Sequence, residues 1–270
     1  MAKIETAFFD IGTLDTLAGG DTPLHRLDPR AKLVTTLVFV VTVVSFGRYQ
    51  IAALLPFALF PMALILRGEL PAGYLGKKLL IAAPFAFFVG ILNPWLDPAP
   101  LLHFGGVTVS GGWVSFASIL LRFGLTVSAA LVLIATTSFA GVCMALEKLG
   151  APKIFALQLL FLYRYLFVLV DEGQRLVRAR ALRSFAGRGM GMKIFGHLIG
   201  QLLLRTVDRA QRIHLAMLCR GFDGDIRLLR RSHIGRPEVI FTLGWSAAFI
   251  ALRLFNLPHL LGTLLTELFR

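Results

Sequence analysis

Acidic residues are scarce in this chain of 270 residues: 15 Asp and Glu stand against 28 Lys and Arg, a formal net charge of +13. Charged residues of both signs make up only 16%, where a soluble domain carries about 25%. Cysteine is nearly absent. Cys143 and Cys219 lie far apart and in no C-x-x-C pattern, which argues against a disulfide framework and a thiolate metal site and leaves two small buried residues as the plain reading. The six histidines, His25, His103, His197, His214, His233 and His259, form no H-x-x-x-H or H-E-x-x-H spacing, so no metal site is legible. A phosphate-binding loop is missing as well. GRGMGMK at 187–193 lacks the G-x-x-x-x-G-K-[ST] frame and follows no strand, so it reads as a hinge and no ATP-binding motif remains. The first thirty residues hold no apolar run, so no cleavable signal peptide is expected.

Apolar residues are what the chain has in excess. It is 56% hydrophobic with a mean hydropathy of +0.75, which places it among all-α membrane proteins. Asp28-Pro29 reads as a helix start, with Asp as N-cap and Pro at the first helical position. The spans expected are LVTTLVFVVTVVSF (33–46), IAALLPFALFPMALIL (51–66), LLIAAPFAFFVGILNPWL (79–96), WVSFASILLRFGLTVSAALVLIATTSF (113–139), and a last one from Val239 to about Phe255. Pro56 and Pro61 are tolerable in the second, because neighbouring membrane helices re-satisfy the freed backbone. Membrane-embedded catalysis would require ionisable side chains inside the spans, and the first four contain one of note, Arg122, whose plain reading is snorkelling or a structural pair.

Orientation follows from basic residues in short loops. Arg67, Lys77 and Lys78 lie between spans two and three, whereas 97–112 carries no Lys or Arg, so 97–112 faces out and the N-terminus is cytoplasmic. IFALQLLFLYRYLFVLV (154–170) is apolar enough to cross. If it did, residues 171–236, with fourteen cations against five acids, would lie outside, and Arg164 would cost about 2.5–3.5 kcal/mol at mid-membrane. The segment therefore reads as a helix packing obliquely on the cytoplasmic ends of the spans, with an ordinary sixth span as the alternative.

Within that basic stretch one phrase occurs twice. QRLVRARALRSFAG (174–187) and QRIHLAMLCRGFDG (211–224) share Q-R-[LI]-x-x-A-x-x-x-R-[SG]-F-x-G. Helical spacing sets Arg175, Ala179 and Arg183 on one stripe, and Arg212, Ala216 and Arg220 on another. Lipid binding would tolerate any scatter of Lys and Arg. Here the basic residues are almost all Arg, whose planar fork suits carboxylates and carbonyls in a protein groove. Each phrase ends in Arg, a small residue and Phe: Arg183-Ser184-Phe185 and Arg220-Gly221-Phe222. The expectation is two long amphipathic helices folded back on each other, each ending in a plug, with Phe as anchor and Arg as the pairing group. Two similar plugs imply two similar sockets.

These residues resemble a known family. ALRSF (181–185) and MLCRGF (217–222) are similar to the coupling-helix motifs of the transmembrane T component of energy-coupling-factor (ECF) transporters. GDTPLHRLDPRAK (20–32) resembles that family's N-terminal signature, and FLYRYLFVLVDEGQRLVRARALRSF (161–185) is closest to its cobalt/nickel branch, the CbiQ type. Ser184 departs from the vitamin-type members, which usually carry Gly there, and this fits the metal branch.

The resemblance implies a non-catalytic scaffold with no cofactor, residing in a bacterial cytoplasmic membrane within an ATP-binding-cassette importer. Its partners would be two ATPase subunits, a cobalt-type substrate-binding membrane subunit, and a small accessory membrane subunit. No nucleic acid is implied. Arg183 and Arg220 would be the arginines that enter the ATPase grooves. The organisation expected is a four-span membrane part over 1–139, a cytoplasmic coupling region over 140–236, and a final span with the C-terminus over 237–270. Rival readings are a nickel or vitamin T component and a membrane-anchored protein whose basic helices bind anionic lipid.

Overall fold

The computed structural model describes residues 13, 15–96, 100–104, 107–183, 191–224 and 235–254. The chain is an all-α membrane protein. Helices long and apolar enough to cross a bilayer cover Ala72–Trp95, Gly111–Thr137, Lys153–Leu182 and Arg236–Leu254, and a shorter apolar helix covers Ile51–Arg67. In chain order the elements are α1 (Pro23–Arg26), α2 (Pro29–Val44), α3 (Ile51–Leu54), a 3-10 turn (Leu55–Ala58), α4 (Leu59–Arg67), α5 (Ala72–Gly90) and α6 (Asn93–Leu96). A hairpin of β1 (Pro100–Phe104) and β2 (Val107–Ser110) follows, then α7 (Gly111–Thr137), α8 (Phe139–Lys148), α9 (Lys153–Leu182), α10 (Met192–Cys219) and α11 (Arg236–Leu254).

The chain divides into two compact units, one of residues up to Ala145 together with those from Ser232 onward, the other Leu146–Arg231. In the first unit α2, α3, α4, α7 and α11 share a core in which aromatic rings from α2, the 3-10 turn, α4 and α11 meet aliphatic side chains of α3 and α7. Phe39 is fully buried, with ring centroids 4.7 Å from Phe60 and 5.3 Å from Phe249. Trp245 meets Phe60 edge-on at 5.0 Å, the geometry the ring quadrupole favours. Leu80, Phe85, Phe88 and Trp95 point outward, Trp95 with 88% of its surface exposed, while Thr35, Thr36, Ser115 and Ser118 are buried. Large apolar side chains facing outward, with small polar ones packed among the buried apolar ones, is the arrangement expected where lipid is the solvent. Pro56 falls in the 3-10 turn between α3 and α4, and the helix continues through it in a different winding.

The stretch 20–32 folds into a compact knot at the start of α2. Asp28 caps that helix by accepting from the Arg30 amide at 2.9 Å, with Pro29 in the first turn. Asp21 takes two hydrogen bonds from the Arg26 guanidinium, at 3.0 and 2.9 Å, and this pairing raises the Arg26 pKa above its ordinary value. Thr22 Oγ1 and His25 Nδ1 lie 2.6 Å apart. Lys32 is buried, and its Nζ donates to the Thr136 carbonyl at 2.8 Å and to the His25 carbonyl at 3.3 Å. Thr136 lies in the last turn of α7, where carbonyls lack helical partners and a cation is favoured. The knot therefore caps the far end of a helix more than a hundred residues away.

Arg122 has a comparable structural role. Its Nη2 donates to the Gly47 carbonyl at 2.6 Å, and Arg253 donates to the Ser45 carbonyl at 3.2 Å with its guanidinium 4.3 Å above the Phe46 ring. Two arginines from two helices thus satisfy the carbonyls that follow the end of α2.

Candidate functional site: the arginine-tipped helix hairpin

The second unit is built on α9 and α10, of 30 and 28 residues. They run antiparallel, because rising positions on α9 face falling positions on α10. A methyl group at Gly173 would stand 3.9 Å from Leu202 Cδ2. Glu172 Oε1 lies 2.6 Å from Arg205 Nη1, and Glu172 Oε2 lies 3.9 Å from Arg209 Nη2. The helices touch here and part on either side. One cleft, about 850 Å³, runs toward the start of α9 between Phe161, Tyr165, Arg209, Ile213 and Met217. The other, about 700 Å³, runs toward its end between Arg175, Ala179, Arg183, Lys193 and His197.

Antiparallel pairing puts the two arginine tips at opposite ends. Arg183 is the C-cap of α9 and Arg220 the C-cap of α10, both in a helical backbone conformation or close to it and both exposed. Arg183 lines the second cleft beside Lys193. Phe222, just past Arg220, lines the first. At 1.5 Å of rise per residue, α10 alone holds the tips about 40 Å apart. Folding back was legible in the sequence. The separation of the plugs was not.

The end of α10 also explains two letters of the repeated phrase. Gly221 has φ +75, the left-handed region that favours glycine. Its amide donates to the Leu218 carbonyl and the Phe222 amide to the Met217 carbonyl, each at 3.0 Å. Those two bonds make a Schellman cap, in which the residue after the glycine packs back on the helix. Phe222 does so: it is half-buried and shares the first cleft with Met217. The aromatic thus packs against the turn that carries Arg220. Among the other expected site residues, Arg175, Ala179, Arg212 and Ala216 are all exposed, with Arg175 and Ala179 on the second cleft and Arg212 on the first. Ser184 and Phe185 lie outside the described residues. Sequence reasoning missed the Glu172 pairing. Its signal was a carboxylate next to a phrase made almost entirely of arginine.

Among the described residues no group of three His, Cys, Asp or Glu is placed to hold a metal ion. A family model described as CbiQ, cobalt transport protein, matches residues 20–230, which takes in both the N-terminal knot and the hairpin. The chain belongs to this family, the T components of ECF transporters. It is 27% identical to the ECF transporter transmembrane protein EcfT of Leuconostoc gelidum subsp. gasicomitatum, over 87% of this chain and 94% of that one. It is 29% identical to EcfT of Limosilactobacillus fermentum, over 82% and 88%. A shorter match, 28% identical over 56% of this chain and 60% of the relative, is to the nickel permease LarQ of Lactiplantibacillus plantarum. The EcfT relatives of this T component are transport subunits, and it is itself a multi-pass membrane protein.

Proposed function

We propose that this T component is the non-catalytic coupling subunit of an ATP-driven importer for cobalt ions. It would transmit the motion of two ATPase subunits to a separate substrate-binding membrane subunit, with a small accessory membrane subunit completing the assembly. The observation that carries this reading is the antiparallel hairpin with an exposed Arg cap at each end. Two similar tips about 40 Å apart by helix rise suit two copies of one partner, one socket for Arg183-Ser184-Phe185 and one for Arg220-Gly221-Phe222. Patches of basic surface that merely met anionic lipid would need no such caps.

In this mechanism ATP-driven closure brings the two sockets, and with them the tips, toward each other. The hairpin reorients the substrate-binding subunit, which then releases its ion inward. Residues 140–236 form the cytoplasmic coupling region, between a membrane part over 1–139 and a last span within 237–270. The N-terminus is cytoplasmic and the membrane is the bacterial cytoplasmic membrane. The positive charge of 171–236 supports that orientation and an oblique position of 154–170 at the membrane surface, although α9 has the length and composition to cross. A nickel importer is the second reading, supported by the likeness to a nickel permease.

The test is to solubilise the protein in detergent, capture it, and identify and count what comes with it. Two ATPase copies and one substrate-binding membrane protein per chain are expected, and the bound subunit's ion distinguishes cobalt from nickel. Capture of the intact protein from its native membrane without any ATPase would defeat the reading.

A further inference from the structure

We propose that Glu172 is a positioning residue, the fulcrum about which α9 and α10 turn. This inference rests on the coupling reading above and adds to it the place where motion of the tips is converted.

The helices hold each other by very little apolar surface. Among the described residues α10 has none fully buried, and on α9 the buried side chain facing the second cleft is Leu176. Apolar contact of that extent is non-directional and fixes neither register nor crossing angle. Glu172 supplies direction. Its side chain is 15% exposed, whereas those of Arg205 and Arg209 are 57% and 43% exposed. One carboxylate oxygen faces each arginine, and the two arginines are one turn apart on the same face of α10. The carboxylate therefore grips α10 at two points along its length, which opposes sliding while allowing rotation. Glu172 and Arg205 also line both clefts, so the grip lies where the helices cross.

Its position along the helices fits a lever. Arg205 sits near the middle of α10, with arms of about 20 Å to its start and about 22 Å to Arg220, and Glu172 lies about 16 Å from Arg183 along α9, at 1.5 Å per residue. A rotation of roughly 10° about this point moves the Arg220 tip by roughly 4 Å. In a crossing of this kind the two clefts are opposite angles. They narrow and widen together if the helices rotate about a fixed point, and they change independently if the helices slide.

The experiment uses the full-length protein in its assembled complex, in a background with Cys143 and Cys219 replaced by Ala. Spin labels are placed across the first cleft (Leu162→Cys with Ile213→Cys) and, in a second sample, across the second cleft (Arg180→Cys with Leu198→Cys). With the original Glu172, addition of a non-hydrolysable ATP analogue is expected to shift both distances in the same direction. Glu172→Gln is expected to broaden both distributions, to remove that concerted shift, and to lower ATP-driven uptake at least fivefold while the ATPases still co-purify. The exchange Glu172→Arg with Arg205→Glu and Arg209→Glu, which reverses both pairs, is expected to restore narrow distributions and at least half of uptake.

Unchanged distances and uptake in Glu172→Gln would overturn the fulcrum, as would clefts that move in opposite directions in the unaltered protein. Failure of the charge exchange to restore either readout would also overturn it. Absence of co-purifying ATPase from the unaltered protein would instead strike the coupling reading. The label distances in the isolated chain then still decide whether Glu172 sets the crossing, by whether Glu172→Gln broadens them.

Discussion

Replacing Gly221 by Ala tests how the Arg220 tip is held. At Gly221 the backbone has φ +75, and a Cβ added there would meet nothing within 4 Å. Sterics with neighbouring groups therefore contribute nothing, and the whole cost is that of holding an L-residue in the left-handed region, about 1–2 kcal/mol. The cost falls on two hydrogen bonds, Gly221 amide to Leu218 carbonyl and Phe222 amide to Met217 carbonyl, which close the last turn of α10. A penalty of this size raises the population of the opened turn roughly 5- to 30-fold. Amide hydrogen exchange at residues 221 and 222 is the direct assay, with rates expected to rise by that factor in Gly221→Ala. Gly221→Asn should fall between the two, because Asn tolerates the left-handed region better than Ala. Exchange at residues 205–212, a turn or more inside the helix, should not move. Equal protection of Phe222 in the original protein and in Gly221→Ala would refute the assignment of the cap. So would an Asn variant that opens more than the Ala variant. The same change should lower ATP-driven uptake while leaving insertion intact, because Arg220 remains present but poorly held.

Arg220→Ala is expected to lose most ATP-coupled uptake while the protein still inserts, and Arg183→Ala to be similar or milder; normal transport by the double variant would remove both from the coupling role. Lys32→Met withdraws the donor from the Thr136 and His25 carbonyls, a cost of about 1–3 kcal/mol for buried acceptors left without it. A lower midpoint of thermal unfolding in detergent is the expected result, and an unchanged midpoint would show that the knot does not clamp α7. The reading of two buried cysteines holds for Cys143 and fails for Cys219, which is exposed at the end of α10, so a membrane-impermeant thiol reagent reports on that tip with little background. It should label permeabilised cells and spare intact ones; labelling of Cys219 in intact cells would put the hairpin on the wrong side of the membrane for an ATPase.

Much of the fold was legible because the signals that carry it are local. Apolar runs located the helices α2, α7 and α11 to within a few residues, whereas α5 runs Ala72–Gly90 against an expected 79–96, with α6 following as a separate helix. Asp28-Pro29 marked a helix start because a side-chain acceptor and a residue without an amide proton suit the first turn. The hairpin of β1 and β2 was not foreseen; the stretch 97–112 read only as a loop without Lys or Arg. Lys32 stands just before the first apolar run, but its burial was not legible, because one of its two acceptors lies 104 residues on. Arg122 was legible as an isolated charge in an apolar helix, and its partner at Gly47, 75 residues away, was not. At the candidate site the repeated phrase was visible at once, but the role of Phe222 was not. A glycine followed by an aromatic reads as a cap only once the hydrogen bonds around φ +75 are seen.

The sequence by itself determined the solvent of this protein, the helical class, and the two arginine-tipped helices, because hydropathy, period and caps are written over distances of a turn or two. Only the tertiary structure decided that the tips lie at opposite ends of the hairpin and that Glu172 meets Arg205 and Arg209 at its crossing. The physical reason is that an amphipathic pattern records which face a helix will bury, whereas the direction and angle at which two such faces meet depend on side chains from both.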